Sequence, residues 1–286
     1  MSLLEVYVVG LLAVLIGMTA LWLVSLIVRD SSIVDIFWGP GFVMLAWIYF
    51  ALTDGFVGRK ALITALTTIW GLRLGLHILL RNWGKGEDFR YAAWRREHGR
   101  RWWWYSYLQT FLLQGGLMVI ISAPLLFAQF YPTPARLTAA DILGAVVWLI
   151  GFVFEAGGDW QLARFKRNPA NRGKVLDTGL WRFTRHPNYF GDAAQWWGYF
   201  LIALSTPLGF LSAFSPILMT ILLLRVSGVA MLEKTLTETR PQYRDYIQRT
   251  SAFFPLPPRR RKPPCEPLVA FSPTRYHLTD GRCTGA

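Results

Sequence analysis

Charge is scarce in this sequence. Only 16% of its 286 residues are charged, against about 25% in an ordinary soluble domain. Acids are the scarcer sign: 17 Asp plus Glu face 30 Lys plus Arg, which leaves a formal net charge of +13. So few charges exclude a disordered chain and an ordinary cytosolic protein. Cysteine is nearly absent as well. Cys265 and Cys283 lie near the C-terminal end, so they cannot staple a core, and no CxxC pair offers a metal or redox site. The four histidines, His77, His98, His186 and His277, are scattered. No pair has helical metal-ligand spacing, so no metal site is expected. Neither a G-x-G-x-x-G nor a Walker motif occurs, which removes a soluble Rossmann or P-loop site. No internal repeat is visible, so an inverted-repeat transporter has no support.

Long apolar runs are abundant. The chain is 53% hydrophobic, with mean hydropathy +0.31. A membrane-spanning helix needs about 20 mostly apolar residues. Seven stretches qualify or nearly so: about 4–28, 34–52, 61–81, 108–130, 138–158, 190–207 and 209–231. The last two meet at Ser205-Thr206-Pro207-Leu208-Gly209, read as a tight turn, with one long helix kinked at Pro207 as the alternative. The first run has no basic residue ahead of it, and Arg29 follows it. That polarity is wrong for a cleaved signal peptide and fits a first membrane helix.

The basic residues are segregated. Arg81, Lys85, Arg90, Arg95, Arg96, Arg100 and Arg101 lie between the third and fourth runs. Arg164, Lys166, Arg167, Arg172, Lys174, Arg182 and Arg185 lie between the fifth and sixth. The opposite loops hold only Arg59, Lys60 and Arg136. The positive-inside rule puts the basic loops and the C-terminus in the cytoplasm and the N-terminus outside, which an odd number of spans requires. With the charge explained this way, nucleic acid is not an expected partner. Residues 257–286 are proline-rich and basic, the composition of a disordered tail lying on anionic lipid. The expected organisation is a membrane domain over 1–256 and that tail.

Ionisable groups at the edge of a membrane bundle are costly unless paired or used, so three polar clusters stand out. Asp35 enters the second run ahead of Trp38 and Gly39-Pro40-Gly41; it is a candidate proton donor in an apolar pocket or a helix cap beside Ser31 and Ser32. Arg73, His77 and Arg81 share one helix face, followed by Asn82 and Gly84-Lys85-Gly86-Glu87-Asp88-Phe89-Arg90-Tyr91. Arg73 lies within an apolar span and needs a partner, for which an anionic ligand or Asp35 would serve. His77 is either a catalytic group or a satisfied bundle histidine, and Glu87-Asp88 either serve function or fold their loop through ion pairs. The third cluster runs from Glu155 and Asp159, spaced i, i+4, through Arg164 to Gly179-Leu180-Trp181-Arg182-Phe183-Thr184-Arg185-His186-Pro187-Asn188-Tyr189-Phe190-Gly191-Asp192. Arginines and backbone amides at a helix start suit phosphates.

These residues resemble the bacterial DUF1295 group, which is similar to the C-terminal domain of steroid 5-alpha-reductases. The resemblance spans about residues 30–256. It rests on Asp35-x-x-Trp38-Gly39, Arg73-Leu74, Arg81-Asn82-x-Gly84-Lys85-Gly86-Glu87-Asp88-x-Arg90-Tyr91 and the segment from Gly179 to Asp192. It implies a seven-helix membrane fold that binds NADPH at its cytoplasmic loops and reduces a carbon–carbon double bond conjugated to a carbonyl. Asp159 resembles a cofactor-contacting Asp, and Glu155 stands where the family often has Asn. Asn188 resembles an Asn before the sixth helix, and Asp192 falls where the family has Glu. Tyr246, in Tyr246-x-x-Arg249, resembles a C-terminal Tyr near the cofactor. Asn82 and Lys85 sit where the reductases place an Asn and an Arg. Asp35 stands loosely for the Glu of the reductases' Gln-Glu pair, and Trp70 falls near their third-helix Tyr. Arg185-His186-Pro187-x-Tyr189 is also similar to membrane methyltransferases of the isoprenylcysteine and phospholipid type, which bind S-adenosylmethionine; their paired late-helix Glu-Glu is replaced here by Glu233-Lys234.

The expectation is therefore an all-α polytopic bundle of about seven transmembrane helices in a bacterial inner membrane, working as an NADPH-dependent reductase of a lipophilic substrate. Asp35 and His77 are the catalytic candidates. Arg81, Asn82, Lys85, Glu155, Asp159, Arg164, Arg182, Arg185, Asn188, Tyr189, Asp192 and Tyr246 are the cofactor-binding candidates, with membrane lipid as the surrounding partner. An S-adenosylmethionine-dependent methyltransferase and a non-enzymatic lipid-binding protein are the alternatives.

Overall fold

A computed structural model describes residues 1–226, Glu233 and residues 242–259. Nearly all of it is helical. Among the described residues the only β-type pairing is an isolated bridge between Thr184 and Ser251. Helix α1 (Leu3–Val28) opens on a capping box, in which the Ser2 hydroxyl accepts from the Glu5 amide and the Glu5 carboxylate accepts from the Ser2 amide; this satisfies donors that a helix start leaves bare. It buries only a narrow stripe, Val6, Gly10, Val14, Met18 and Ser25. Leu4, Leu12, Ile16 and Ile27 are exposed, a face suited to lipid and not to water.

Helices α2 (Ile33–Leu52) and α3 (Val57–Asn82) follow. They touch at Gly39 and Gly71, where a Cβ on Gly39 would lie 2.3 Å from the Gly71 carbonyl oxygen. The short, charged helix α4 (Phe89–His98) leads into a broken helical run. That run comprises α5 (Trp102–Ser106), a π-helical segment over Tyr107–Leu112, α6 (Leu113–Ile121) and α7 (Ala123–Phe130). Pro124 sits in the first turn of α7, where its missing N–H costs nothing.

Helix α8 (Ala139–Arg167) and helix α9 (Pro187–Ala203) make the closest pair. Gly144, Gly151 and Gly158 recur every seven residues on α8 and meet Gly198, Gly191 and Pro187 of α9. A Cβ on Gly151 would lie 2.5 Å from the Gly191 carbonyl oxygen. Small residues at such a crossing let two backbones touch, the usual means of holding helices together in lipid. The last helices among the described residues are α10 (Phe214–Ile221) and α11 (Gln242–Arg249).

Five stretches are long and apolar enough to cross a membrane: Leu3–Val28, Ile33–Leu52, Val57–Asn82, Phe89–Phe130 and Ala139–Arg167. They match the first five expected spans. The sixth run and the described part of the seventh are shorter than these five. Helix α9 has 17 residues, and the helical stretch Gly209–Arg225 is also short. A turn over 204–208 separates them, as the tight-turn reading expects. Residues 227–231 of the last run and 260–286 of the tail lie outside the described residues.

Candidate functional site

Three helices each contribute one polar face to a single cluster. On α3, Trp70, Arg73 and His77 follow i, i+3, i+7; on α8, Glu155 and Asp159 are i, i+4; on α9, Asn188, Asp192 and Gln195 are i, i+4, i+7. Those spacings put each set on one side of its helix. Arg73 lies at the centre, paired with Glu155 and, at 2.7 Å, with Asp159. Trp70 donates its indole N–H to Glu155 over 2.9 Å, and the Gln195 amide donates to the same oxygen over 2.5 Å. Asn188 donates to Asp159 over 3.2 Å, and His77 Nε2 stands 3.7 Å from Asp159. The Asp192 carboxylate faces Glu155, Asp159 and Arg73. The glycine seam makes this possible: Gly151 and Gly191 bring α8 and α9 near enough for Gln195 to reach Glu155.

The expected partner of Arg73 is thereby corrected. It pairs with the α8 acids and not with Asp35. Asp35 instead accepts from Arg90 at 2.9 Å and from the Tyr91 hydroxyl at 2.6 Å. Gln114 donates to the same hydroxyl at 3.2 Å. The segment Glu87-Asp88-x-Arg90-Tyr91 is a local clasp. Glu87 holds Arg95 and accepts from the Ser31 amide, both at 2.8 Å, while Asp88 holds Arg90 at 2.9 Å and its amide donates to the Ser32 hydroxyl. Burial works against ionising Glu87 and Asp88, but the hydrogen bonds from Arg95 and Arg90 win and lower both carboxyls. Ser32 forms no side-chain cap bond to α2. The two serines bind the clasp loop, and Asp35 serves its pairing with Arg90 and Tyr91.

The segment before α9 is closed by the C-terminal part of the chain. Arg185 is buried and donates to Glu233 at 2.7 Å, to the Ile247 carbonyl at 3.1 Å and to the Thr250 carbonyl. His186 Nε2 lies 3.1 Å from the same Glu233. Tyr246 donates to the Trp181 carbonyl, and Arg249 reaches Asp177 at 3.2 Å. Burial opposes ionisation of Glu233, yet the bonds from His186 and Arg185 and the Arg185 charge hold its carboxyl down to about 2. A carboxyl lowered on folding contributes stability above its unfolded value, near 4.5, and loses it as pH falls toward the folded value. Thermal stability in detergent is therefore expected to fall as pH drops from about 4.5 toward 2. Glu233→Gln should lower the neutral-pH midpoint and flatten part of that decline; an unchanged neutral midpoint would contradict the latch.

The expected residues therefore occupy different settings. Glu155, Asp159, Asn188, Asp192 and His77 come together in the three-helix cluster. Tyr189 packs beside it, its ring stacked on His186 at 5.4 Å, with Arg81, Arg90, Asp159 and Asp192 around its hydroxyl. Arg81, Lys85, Arg164 and Arg182 are exposed at the same end of α3, α8 and α9 and form a cationic rim. Arg164 lies over the Trp160 ring at 5.5 Å. Asn82 accepts from Arg81, and Lys85 donates to the Arg81 carbonyl, so these three also close the end of α3. Arg185 and Tyr246 are spent on the C-terminal latch. Asp35 stands in its own cluster. Sequence reasoning missed Tyr91, Gln195 and Glu233 as partners. Gln195 was legible in principle: it continues the i, i+4, i+7 face begun by Asn188 and Asp192.

With this geometry in view, comparison with known proteins adds a family. The family model described as "Protein of unknown function (DUF1295)" matches residues 21–250. An uncharacterized protein of Schizosaccharomyces pombe is 26% identical over 281 residues, covering 87% of this chain and 79% of its own length. No solved structure matches. The family match takes in the α2 clasp, the three-helix cluster and the Arg185-His186 latch, and by it the chain belongs to the DUF1295 family.

Proposed function

We propose that this chain is an integral membrane, NADPH-dependent reductase that saturates a carbon–carbon double bond conjugated to a carbonyl in a lipophilic, steroid-like substrate. One observation carries the reading: a buried set of acids and amides with an unused acceptor lies beneath a cationic rim. Gln195 Oε1 is buried and has no hydrogen-bond partner, the buried Asp192 carboxylate stands beside it on α9, and Arg81, Lys85, Arg164 and Arg182 are exposed at the ends of the helices that carry the cluster. A dinucleotide needs both kinds of group, cations for its phosphates and acceptors for its amide and hydroxyl donors. The residues present fit it on those grounds.

In this reading the four rim cations hold phosphates. Glu155, Asp159 and Asn188 hold ribose or carboxamide groups, and Arg73 fixes the two acids so that they do not swing. The cofactor, when bound, supplies the hydride. The substrate lies between helices near Asp35, Trp38 and His77. Asp35, which Arg90 and Tyr91 hold, and His77 are the proton-transfer groups of this reading. The reading includes seven spans, the basic face in the cytoplasm and a bacterial inner membrane as the setting. Purified protein in nanodiscs should oxidise NADPH when offered a conjugated-enone lipid. Asp159→Ala should abolish the reaction. Turnover that persists unchanged in Asp159→Ala would remove the cluster from the mechanism.

A methyltransferase reading has one observation of its own. Arg185 and His186 of the motif shared with those enzymes both meet the late Glu233. Their bonds to one another and to the 247–250 carbonyls make them a latch first. Binding of S-adenosylmethionine in place of NADPH would favour this reading.

A further inference from the structure

The end of α1 is tied to α4 and α5 at one corner of the bundle. Trp102, which opens α5, donates its indole N–H to the Ser31 hydroxyl at 3.2 Å, and Arg95 of α4 donates to the same hydroxyl at 3.4 Å. Trp22 of α1 donates to the Trp103 carbonyl at 2.8 Å, and the two indole rings lie 6.5 Å apart. Arg29 stands two residues before Ser31, and Arg100 and Arg101 come directly before Trp102. On α4, Tyr91, Trp94, Arg95 and His98 follow i, i+3, i+4, i+7 and take the inner face, which leaves Arg96 on the outer face, one turn before Arg100.

Arg29, Arg96, Arg100 and Arg101 are all exposed. Among the described residues none of their side chains makes a hydrogen bond or an ion pair. Their neighbours Arg90 and Arg95 differ, being held by Asp35, Asp88 and Glu87. Glu97 is the one acid between Phe89 and Trp104, so the corner keeps a net positive charge. Arg29 is also held in an unfavourable backbone. Its φ of 56° makes it the one non-glycine residue with positive φ among the described residues. It closes α1 at the left-handed position that glycine usually takes, where a Cβ is disfavoured. An arginine kept there without a protein partner points to a ligand.

Depth identifies the surroundings. Helix α1 has 26 residues, a length of about 39 Å, which carries Arg29 beyond a hydrocarbon core about 30 Å thick. The helical run from Trp102 to Phe130 is about 43 Å long and covers core and headgroup layers together. Helix α4 and the Gly99–Arg101 turn before that run therefore lie level with lipid headgroups.

We propose that this corner binds the phosphate of an anionic phospholipid taken from the surrounding bilayer. Guanidinium forks match phosphate oxygens, and four of them against one carboxylate favour a lipid of net negative charge over a zwitterionic one. The acyl chains have a surface to follow: Ile27 and Val28, just ahead of Arg29, are 82% and 54% exposed. Trp103 and Trp104 are exposed beside the arginines, at the level where indoles anchor in the interface. The corner is separate from the cationic rim at the ends of α3, α8 and α9 and works without any cofactor there.

Titration of the purified full chain in neutral detergent with dioleoyl phosphatidylglycerol or dioleoyl phosphatidylcholine, read by native mass spectrometry, tests the site. Phosphatidylglycerol should bind at least about tenfold more tightly than phosphatidylcholine, and inorganic phosphate should not displace it. The combined variant Arg29→Gln, Arg100→Gln, Arg101→Gln should weaken phosphatidylglycerol binding at least about tenfold. A variant with the same loss of charge in the tail, Arg259→Gln, Arg260→Gln, Arg261→Gln, should leave it unchanged. Arg29→Gly separates the ligand from the fold. Glycine suits the left-handed backbone, so the thermal midpoint should hold or rise while phosphatidylglycerol affinity falls. Equal affinity of the wild-type chain for the two lipids would overturn the proposal. Full affinity in the Arg29, Arg100 and Arg101 variant, or displacement of the lipid by inorganic phosphate, would overturn it as well.

Discussion

Arg73→Met should lower the thermal midpoint in detergent by about 10 °C or more. Arg73 is one guanidinium facing the acids Glu155 and Asp159, whose side chains are 4% and 11% exposed. Removing one partner of a buried pair leaves an uncompensated charge and costs about 3–5 kcal/mol. For a domain of this size, each kcal/mol moves the midpoint by roughly 2–4 °C. The cause lies in charge and not in volume, since methionine fills most of the same space. The triple variant Arg73→Met, Glu155→Gln, Asp159→Asn should therefore recover most of the loss. If the triple variant is no more stable than the single one, the charge account of the cluster fails.

Gly191→Ala is the second large effect. A Cβ at that position would lie 2.3 Å from the Glu155 amide nitrogen and 2.4 Å from the Gly151 carbonyl oxygen. Both are backbone atoms, so no side chain can rotate away and α8 must move off α9. Overpacking of this kind costs about 1–3 kcal/mol and occasionally more. It also pulls Glu155 away from Gln195, so ligand binding should fall along with stability. Gly116→Ala is the matched control. No atom lies within 4 Å of its Cβ position, and alanine is the better helix former by about 1 kcal/mol. Comparable losses in the two variants would mean that the α8–α9 crossing is not set by backbone contact.

These two predictions also mark the limit of what the sequence discloses. The apolar runs show where the first five helices lie, because length and hydropathy are local properties. Local spacing likewise puts Arg73 with His77 and Glu155 with Asp159 on shared faces. The partner of Arg73 is not local: Asp159 is 86 residues away, and nothing in either segment distinguishes it from Asp35. Tyr91 belongs to the Arg81–Tyr91 motif, yet its bond to Asp35 depends on the loop folding back across the start of α2. Gly144, Gly151 and Gly158 carry no signal of their own along the chain. Their meaning emerges only beside Gly191 and Gly198 on the facing helix. Arg185 looked like a phosphate ligand by type and position, and Glu233, 48 residues later, takes it into the latch.

The central claim is that the three-helix cluster and its cationic rim hold a nicotinamide dinucleotide. Its most direct measurement is ligand-dependent thermal unfolding of the purified chain in detergent with NADPH, NADH or S-adenosylmethionine. A ligand that binds the folded state stabilises it by about 2.7 kcal/mol at a hundred times its Kd. NADPH is expected to raise the midpoint, and Asp159→Ala is expected to erase the rise. A midpoint raised by S-adenosylmethionine and unmoved by NADPH would contradict the account.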